Sequence, residues 1–241
     1  MEKAYFISDI HLGLQAKSKE EEKIKKLLLV IDEVKKNKGD LFILGDLFDF
    51  WFEYIHFVQK DFFKVYRAFY DLRLSGSEIF YFIGNHDFAH VDFFEKELDI
   101  KIFCDPKEFV IKEKRFFIGH GDGLVENDEM YNLLKKFLRS KFFNFSYKLV
   151  HPDLLIEIAA LLSKKSRSGD AKKKYKIEKD GLEKAAIKII NEGFDYVIFG
   201  HLHKMTYKKF DNSAYINLGS WLDIPKYGIF DGIEFKINVI K

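Results

Sequence analysis

Cysteine is nearly absent from the chain, net charge is close to zero, and no apolar run continues for the length of a membrane span. Its 241 residues include a single cysteine, Cys104, so no intramolecular disulfide can form and no cysteine-rich zinc site is available. That scarcity fits a reducing compartment, and the cytoplasm is the expected location. Cys104 itself, following an apolar strand pattern, reads as a small buried hydrophobe. Lys and Arg number 40 against 38 Asp and Glu, a formal net charge of +2. So even a balance excludes a strongly basic nucleic-acid binder, and no nucleic-acid partner is expected. The opening MEKAYFISDIHLG passes directly into a strand pattern, without the charged, apolar and small-residue succession of an export signal. Internal repeats are missing, and low complexity is confined to short lysine runs.

What is present is apolar sequence in short pieces. Hydrophobic residues make up 47% of the chain, enough for one large α/β domain that carries an insertion. The runs AYFIS, LFIL, IFYFI, RFFI and YVIF each end in a polar cluster and read as buried strands. Between the first two, Ile24, Leu27, Leu28, Ile31 and Val34 recur at helical spacing behind a glutamate-rich start, with Gly39 to close the helix. Between the next two, Phe62, Val65, Tyr66 and Phe69 do the same ahead of Gly76. Alternation of strand and helix predicts parallel connections. KEFVIKEKRFFIGHG, turning near Glu113 and Lys114, and MTYKKFDNSAYINLGS read as antiparallel hairpins, so the sheets are expected to be mixed. Residues 124–170 interrupt this order. They are helical in pattern, with breaks expected at Asn144 and Pro152 and a small, polar, basic loop or helix end at 165–176. Residues 1–123 and 171–241 then form the core.

The polar clusters carry the chemistry. Residues that follow strands lie at strand carboxyl ends, where open α/β sheets build ligand sites. These are Asp9 and His11 in SDIHLG, Asp46 in GDLFDF, Asn85, His86 and Asp87 in GNHDF, His120 and Asp122 in GHGDGL, and His201 and His203 in GHLHK. Each motif alone is weak, because Asp and His commonly cap helices or satisfy turn amides. Five in succession are specific. Gly45, Gly84, Gly119 and Gly200 stand next to candidate ligands, as expected where crowding or positive φ bars a side chain. Carboxylate, amide and imidazole donors without thiolate suit manganese, iron or zinc better than calcium. His56, His90 and His151 lie outside the motifs and receive no ligand role. Asp49 and Asp87 either orient imidazoles or bond the loops.

The series DIH, GDLFD, GNHD, GHGD, GHLH resembles the calcineurin-like metallophosphoesterases over residues 5 to about 220. That resemblance implies a four-layer α/β/β/α sandwich of mixed sheets with two divalent metal ions, expected to be Mn²⁺, at the strand ends. Asp9, His11 and His203 would hold one ion, Asn85, His120 and His201 the other, and Asp46 would bridge. Asp46, Asn85 and His86 are the implied catalytic set, with His86 stabilising the transition state or protonating the leaving oxygen.

FISDIHLG, GDLFDFW, HGDGLVENDEMY and a hydrophobic helical insertion before GHLHK further resemble the UDP-2,3-diacylglucosamine pyrophosphatases of lipid A synthesis. The implied reaction releases UMP and 2,3-diacylglucosamine 1-phosphate. The implied substrate contacts are His86, Asp128, Tyr131, Ser166, Asp170, Lys173 and His201, although Ser163, Arg167, Ser168 and Lys172 stand close enough to take some of those places. An acylated UDP-sugar is thus the expected partner, with peripheral contact to lipid on the cytoplasmic face of the inner membrane and a monomeric chain. Two uses of FFNFSYKLVHPDLLIEIAALL stay open. It is a receptor for acyl chains, or a helical lid packed on the core. Lys148, Asp153 and Glu157 exclude a membrane span. The basic residues Lys135, Lys136, Arg139 and Lys141 read as a solvated face or as contacts to acidic headgroups or the substrate diphosphate. One departure matters: His86 stands where many of those pyrophosphatases carry Arg, which keeps a general phosphodiesterase or phosphatase open.

Overall fold

The computed structural model describes residues 3–124, 129–167 and 171–240. In chain order the elements are β1 (Ala4–Ile7), α1 (Lys17–Lys36), β2 (Asp40–Ile43), α2 (Phe63–Leu74), β3 (Ile79–Phe82), the single turn α3 (Phe93–Lys96), β4 (Lys101–Phe103), β5 (Lys107–Ile111) and β6 (Lys114–Ile118). The helices α4 (Glu129–Leu138), α5 (Lys141–Tyr147), α6 (Pro152–Arg167) and α7 (Ala171–Asn191) follow, and β7 (Tyr196–Phe199), β8 (Thr206–Phe210), β9 (Ser213–Asn217), β10 (Lys226–Phe230) and β11 (Phe235–Val239) complete the chain.

Strand alternation builds the layers. Tyr5 and Ile7 of β1 face one way with Leu41 and Ile43, against Leu27, Val34 and Phe69 of the first two helices. Ala4 and Phe6 face the other way with Phe42 and Phe80, against Phe116, Ile198 and Ile216 of a second sheet. That second sheet turns Val197, Phe199 and Tyr215 outward onto Leu182 and Ala186 of α7. With a period of two, one strand therefore serves two cores. The result is the expected α/β/β/α sandwich. Both sheets are mixed, ordered β11-β10-β1-β2-β3-β4 and β5-β6-β7-β9-β8, with parallel pairing at the centre and antiparallel pairing at β1–β10, β10–β11, β5–β6 and β8–β9.

Part of the phenylalanine excess sits between the sheets. Phe6, Phe42 and Phe80 are in register across β1, β2 and β3. Their rings stack at centroid distances of 5.0 and 4.6 Å. Truncating one of these to Ala would cost about 3–5 kcal/mol.

Two local expectations need correction, and a third is narrowed. Asn144 does not break a helix but lies inside α5, because Ser140 caps that helix, its Oγ accepting from Phe143 N at 3.2 Å. The break comes instead before Pro152, whose fixed φ and missing N–H suit a first helical position. Of the two expectations for 165–176, the helix end holds and the loop does not where the segment is described: α6 ends at Arg167 and α7 begins at Ala171. Cys104 is exposed rather than buried, since it follows β4 at the edge of its sheet, where no further strand covers it.

Candidate functional site

The carboxyl ends of β1, β2, β3, β6 and β7 converge, and the backbone there is unusual. Asp9, His11, Asp46, His201 and His203 have φ of 51°, 50°, 50°, 71° and 57°. Left-handed backbone costs a non-glycine residue about 1–3 kcal/mol and persists only when its surroundings enforce it. Here they do. Asp9 N and His11 N donate to the carbonyls of Gly45 and Asp46 at 3.2 and 3.0 Å. Trp221 N and Ser220 Oγ donate to Asp9 O. From α1 the buried Lys23 ammonium donates to Ile10 O and His11 O at 3.1 and 2.6 Å. The glycines act by close approach: a Cβ on Gly84 would strike the Asp46 carboxylate, and one on Gly45 would come within 2.5 Å of the His120 ring.

These turns bring together all seven candidate ligands. Asp9, His11, Asp46 and His203 offer oxygen and nitrogen atoms that lie within 4.8 Å of one another. His203 Nε2 is 3.4 Å from Asp9 Oδ1 and 3.0 Å from His11 Nε2. On the other side Asn85 Oδ1 lies 3.0 Å from His120 Nε2 and 2.9 Å from His201 Nδ1. Asp46 joins the two groups, its Oδ2 3.8 Å from His11 Nε2 and 3.5 Å from His120 Nε2. That oxygen is buried and accepts no hydrogen bond among the described residues. A buried carboxylate oxygen facing two imidazoles, with no proton donor assigned to it, fits a divalent cation.

Tautomers agree with this. His120 Nδ1 sits 2.7 Å from Leu44 O, and a proton held there makes Nε2, which faces Asn85 and Asp46, the nitrogen that would bind metal. His11 Nδ1 sits 3.2 Å from Asp49 Oδ1, which likewise frees its Nε2. Burial lowers the pKa of His11 and of His203. Burial, aided by the His120 charge, pushes His201 down to about 3. His120 goes the other way: burial opposes its charge, but Asp46, Asp9 and Asp122 outweigh it and raise the imidazole to about 9. Burial likewise opposes the Asp46 charge, yet His120, His86 and His11 hold that carboxyl well below its usual range. Asp9 is raised by burial.

Around this centre the two undecided carboxylates separate. Asp49 faces imidazoles, with Oδ1 3.2 Å from His11 Nδ1 and 3.5 Å from His86 Nδ1. Asp87 bonds loops, accepting from Leu47 N at 2.9 Å, Gly84 N at 2.8 Å and the Tyr81 hydroxyl. His86 is half-buried at the rim, its N–H donating to Asp46 Oδ1 at 2.9 Å. Asp128 and Asp170 lie outside the described residues, as do the side chains of Tyr131, Ser166 and Lys173.

The insertion is fastened to the loops that follow β2, β3, β4 and β6. Lys135 Nζ pairs with Asp122 Oδ2 at 2.9 Å, and the Arg139 guanidinium donates to Cys104 O, Ile83 O and Gly84 O. These two cations therefore hold α4 on the core and are not a solvated face. Tyr147 donates to Glu53 O at 2.9 Å and packs on Phe52 and Ala89. Ser163 donates to Asp49 Oδ2 at 2.8 Å, a contact from 114 residues away with no signal in local sequence pattern. The opposite face is apolar and exposed: Leu133, Phe137, Phe142, Phe145, Leu149 and Leu161 are 48–75% accessible. Patches of this kind mark sites of contact with apolar partners. Among the described residues no helix is long and apolar enough to cross a membrane.

The fold and the centre define the class. Residues 3–205 match the calcineurin-like phosphoesterase family, and the chain belongs to it. Members of this family hydrolyse phosphoesters with divalent metal, and the Asp, His and Asn cluster is suited to hold it. Among curated proteins the chain is similar to the UDP-2,3-diacylglucosamine hydrolase of Porphyromonas gingivalis strain W83, 27% identical with 98% of this chain and 97% of that one covered. The hydrolase of the same name from Haemophilus influenzae strain Rd is 26% identical, covering 92% and 91%. That from Wigglesworthia glossinidia brevipalpis is 28% identical, covering 98% and 92%.

Proposed function

We propose that the protein hydrolyses the diphosphate of UDP-2,3-diacylglucosamine to UMP and 2,3-diacylglucosamine 1-phosphate in lipid A synthesis, using two divalent ions, with manganese the native metal. The observation that carries this is the direct attachment of an exposed apolar insertion to a cluster of buried imidazoles and carboxylates. Full-length similarity to hydrolases of that name supports it.

Asp9, His11 and His203 would hold one ion, Asn85, His120 and His201 the other, with Asp46 shared between them. Bound there, divalent ions supply Lewis-acid activation of water and neutralise phosphoryl charge. The chain's own residues do the rest. Asp49 and Leu44 O hold His11 and His120 by Nδ1, so that Nε2 is the nitrogen each would offer to metal, which on His120 would displace a proton. His86, with Nδ1 3.0 Å from Asp49 O, is placed to stabilise or protonate the departing oxygen through its other nitrogen. His86 and His201 contact the diphosphate, and Asp128, Tyr131, Ser166, Asp170 and Lys173 contact the rest of the nucleotide sugar. The apolar face of residues 124–170, the substrate lid, takes the acyl chains, each buried methylene contributing about 0.8 kcal/mol. It also rests the chain, as a monomer in the cytoplasm, on the inner face of the inner membrane.

Hydrolysis in ¹⁸O-water tests the reaction. Label recovered in UMP, with turnover abolished by EDTA and restored by Mn²⁺, is expected; label in the sugar phosphate, or turnover indifferent to EDTA, would refute it. His86 favours one second use, a phosphodiesterase acting on nucleotides or small phosphoesters, because an alkoxide leaving group needs an acid whereas a phosphomonoester does not.

A further inference from the structure

Helix α6 touches the core along one stripe. Leu155 and Ala159 pack with Phe52, Ala89 and Tyr147, and Ser163 continues the i, i+4, i+8 spacing on the same face. The first two positions are apolar. The third is a hydroxyl, 7% exposed, and it meets a carboxylate that is fully buried.

That carboxylate is Asp49. Its Oδ2 accepts from Ser163 Oγ at 2.8 Å, while its Oδ1 stands 3.2 Å from His11 Nδ1 and 3.5 Å from His86 Nδ1. A carboxylate is planar and rigid, so a hydrogen bond that fixes one oxygen fixes the direction of the other. The insertion thereby reaches two imidazoles on opposite duties: His11 inside the cluster, and His86 at its rim. We infer that Ser163 is a positioning residue through which the insertion sets the orientation of His11 and His86. Movement of α6 is transmitted to the centre through Asp49, which ties what the apolar face binds to the readiness of the phosphate site. The inference rests on the proposed metal assignment for His11.

Mn²⁺ affinity, measured by electron paramagnetic resonance without substrate, reads the coupling apart from turnover. Ser163→Ala should weaken Mn²⁺ binding about tenfold, the lower end for loss of a group that orients a ligand, and Ser163→Thr, which keeps the hydroxyl, should restore it. In an Asp49→Ala background Ser163→Ala should add nothing, because the connection is already broken. Melting curves verify folding, and if Asp49→Ala does not fold, the Ala and Thr comparison decides alone. On a small diester, Ser163→Ala should lower kcat and leave KM unchanged. Wild-type Mn²⁺ affinity in Ser163→Ala, or penalties that multiply in the double variant, would overturn the inference while leaving the metal centre standing. A wild-type protein that binds no Mn²⁺ would overturn both.

Discussion

Asp46 Oδ2 lies 3.5 Å from His120 Nε2, both side chains are buried, and this oxygen accepts no hydrogen bond among the described residues. Without metal the His120, His86 and His11 imidazoles keep this carboxylate ionised despite its burial, and a divalent cation would take over that role. Asp46→Asn keeps the shape and the acceptor for His86 N while removing the charge. The metal-free variant should melt below the wild type, because it loses the attraction between the Asp46 carboxylate and the charged His120 imidazole. Mn²⁺ at a hundred times its dissociation constant should stabilise the wild type by about 2.7 kcal/mol and the variant not at all. Turnover should fall about a thousandfold, the several kcal/mol expected of lost metal assistance. Calorimetry with and without Mn²⁺ checks the first two statements.

Phe142 and Phe145 are 70% and 66% exposed, so replacing them disturbs little packing. Phe142→Glu and Phe145→Glu should leave the melting temperature unchanged and abolish flotation with liposomes. Each should raise KM for the lipid substrate about tenfold or more, the equivalent of about 1.5–3 kcal/mol of apolar burial. Turnover of bis-p-nitrophenyl phosphate should not change. Wild-type flotation in both variants would reduce the face to a packed lid.

On an alkyl diester, His86→Ala should lower turnover by about a hundredfold or more, the range of a lost general acid. His86→Arg should separate substrates. With a phosphomonoester leaving group, charge alone suffices and most activity is retained; with an alkyl diester, whose leaving alkoxide needs a proton, activity is lost. Steady-state kinetics on both substrate types reads the difference.

His90 tests an electrostatic claim away from the centre. Both its ring nitrogens are buried with no hydrogen-bond partner among the described residues, between Trp51, Tyr81 and Phe94. Burial, with the Arg139 charge, pushes the imidazole down to about 3. The unfolded chain binds the proton near 6.5, so stability is intact above that pH and is lost progressively as pH falls toward 3. From pH 7 to pH 5 this amounts to about 2 kcal/mol. His90→Phe, which can expand into an adjoining cavity of about 180 Å³, should remove that part of the acid sensitivity. Urea unfolding at the two pH values measures it.

Much of this site is visible in sequence because strand ends are visible. Apolar runs of four or five residues followed by Asp, Asn or His locate β1, β2, β3, β6 and β7, and the ends of three strands of one sheet and two of the other then bring Asp9, Asp46, Asn85, His120 and His201 together. What is not visible depends on contacts between distant segments. Asp49 and Asp87 stand in similar motif contexts, yet one faces His11 and the other Leu47 N, a difference made by loop geometry. Lys135 and Arg139 look like a solvated basic face because nothing local reveals Asp122 beneath them. Ser163 belongs to a stripe whose meaning appears only when Asp49 is found at its end. Helix periodicity shows a face, not what the face meets.

The central claim is that an apolar insertion and a metal centre act on one substrate. Its most direct test compares kcat/KM for UDP-2,3-diacylglucosamine, UDP-GlcNAc and bis-p-nitrophenyl phosphate with Mn²⁺ present, using Asp46→Ala as the blank. A preference of at least about a thousandfold for the acylated nucleotide over UDP-GlcNAc, equivalent to burying only part of two acyl chains, with UMP as product, is the expected result. Equal or better turnover of the artificial diester, with the acylated nucleotide left intact, would contradict it.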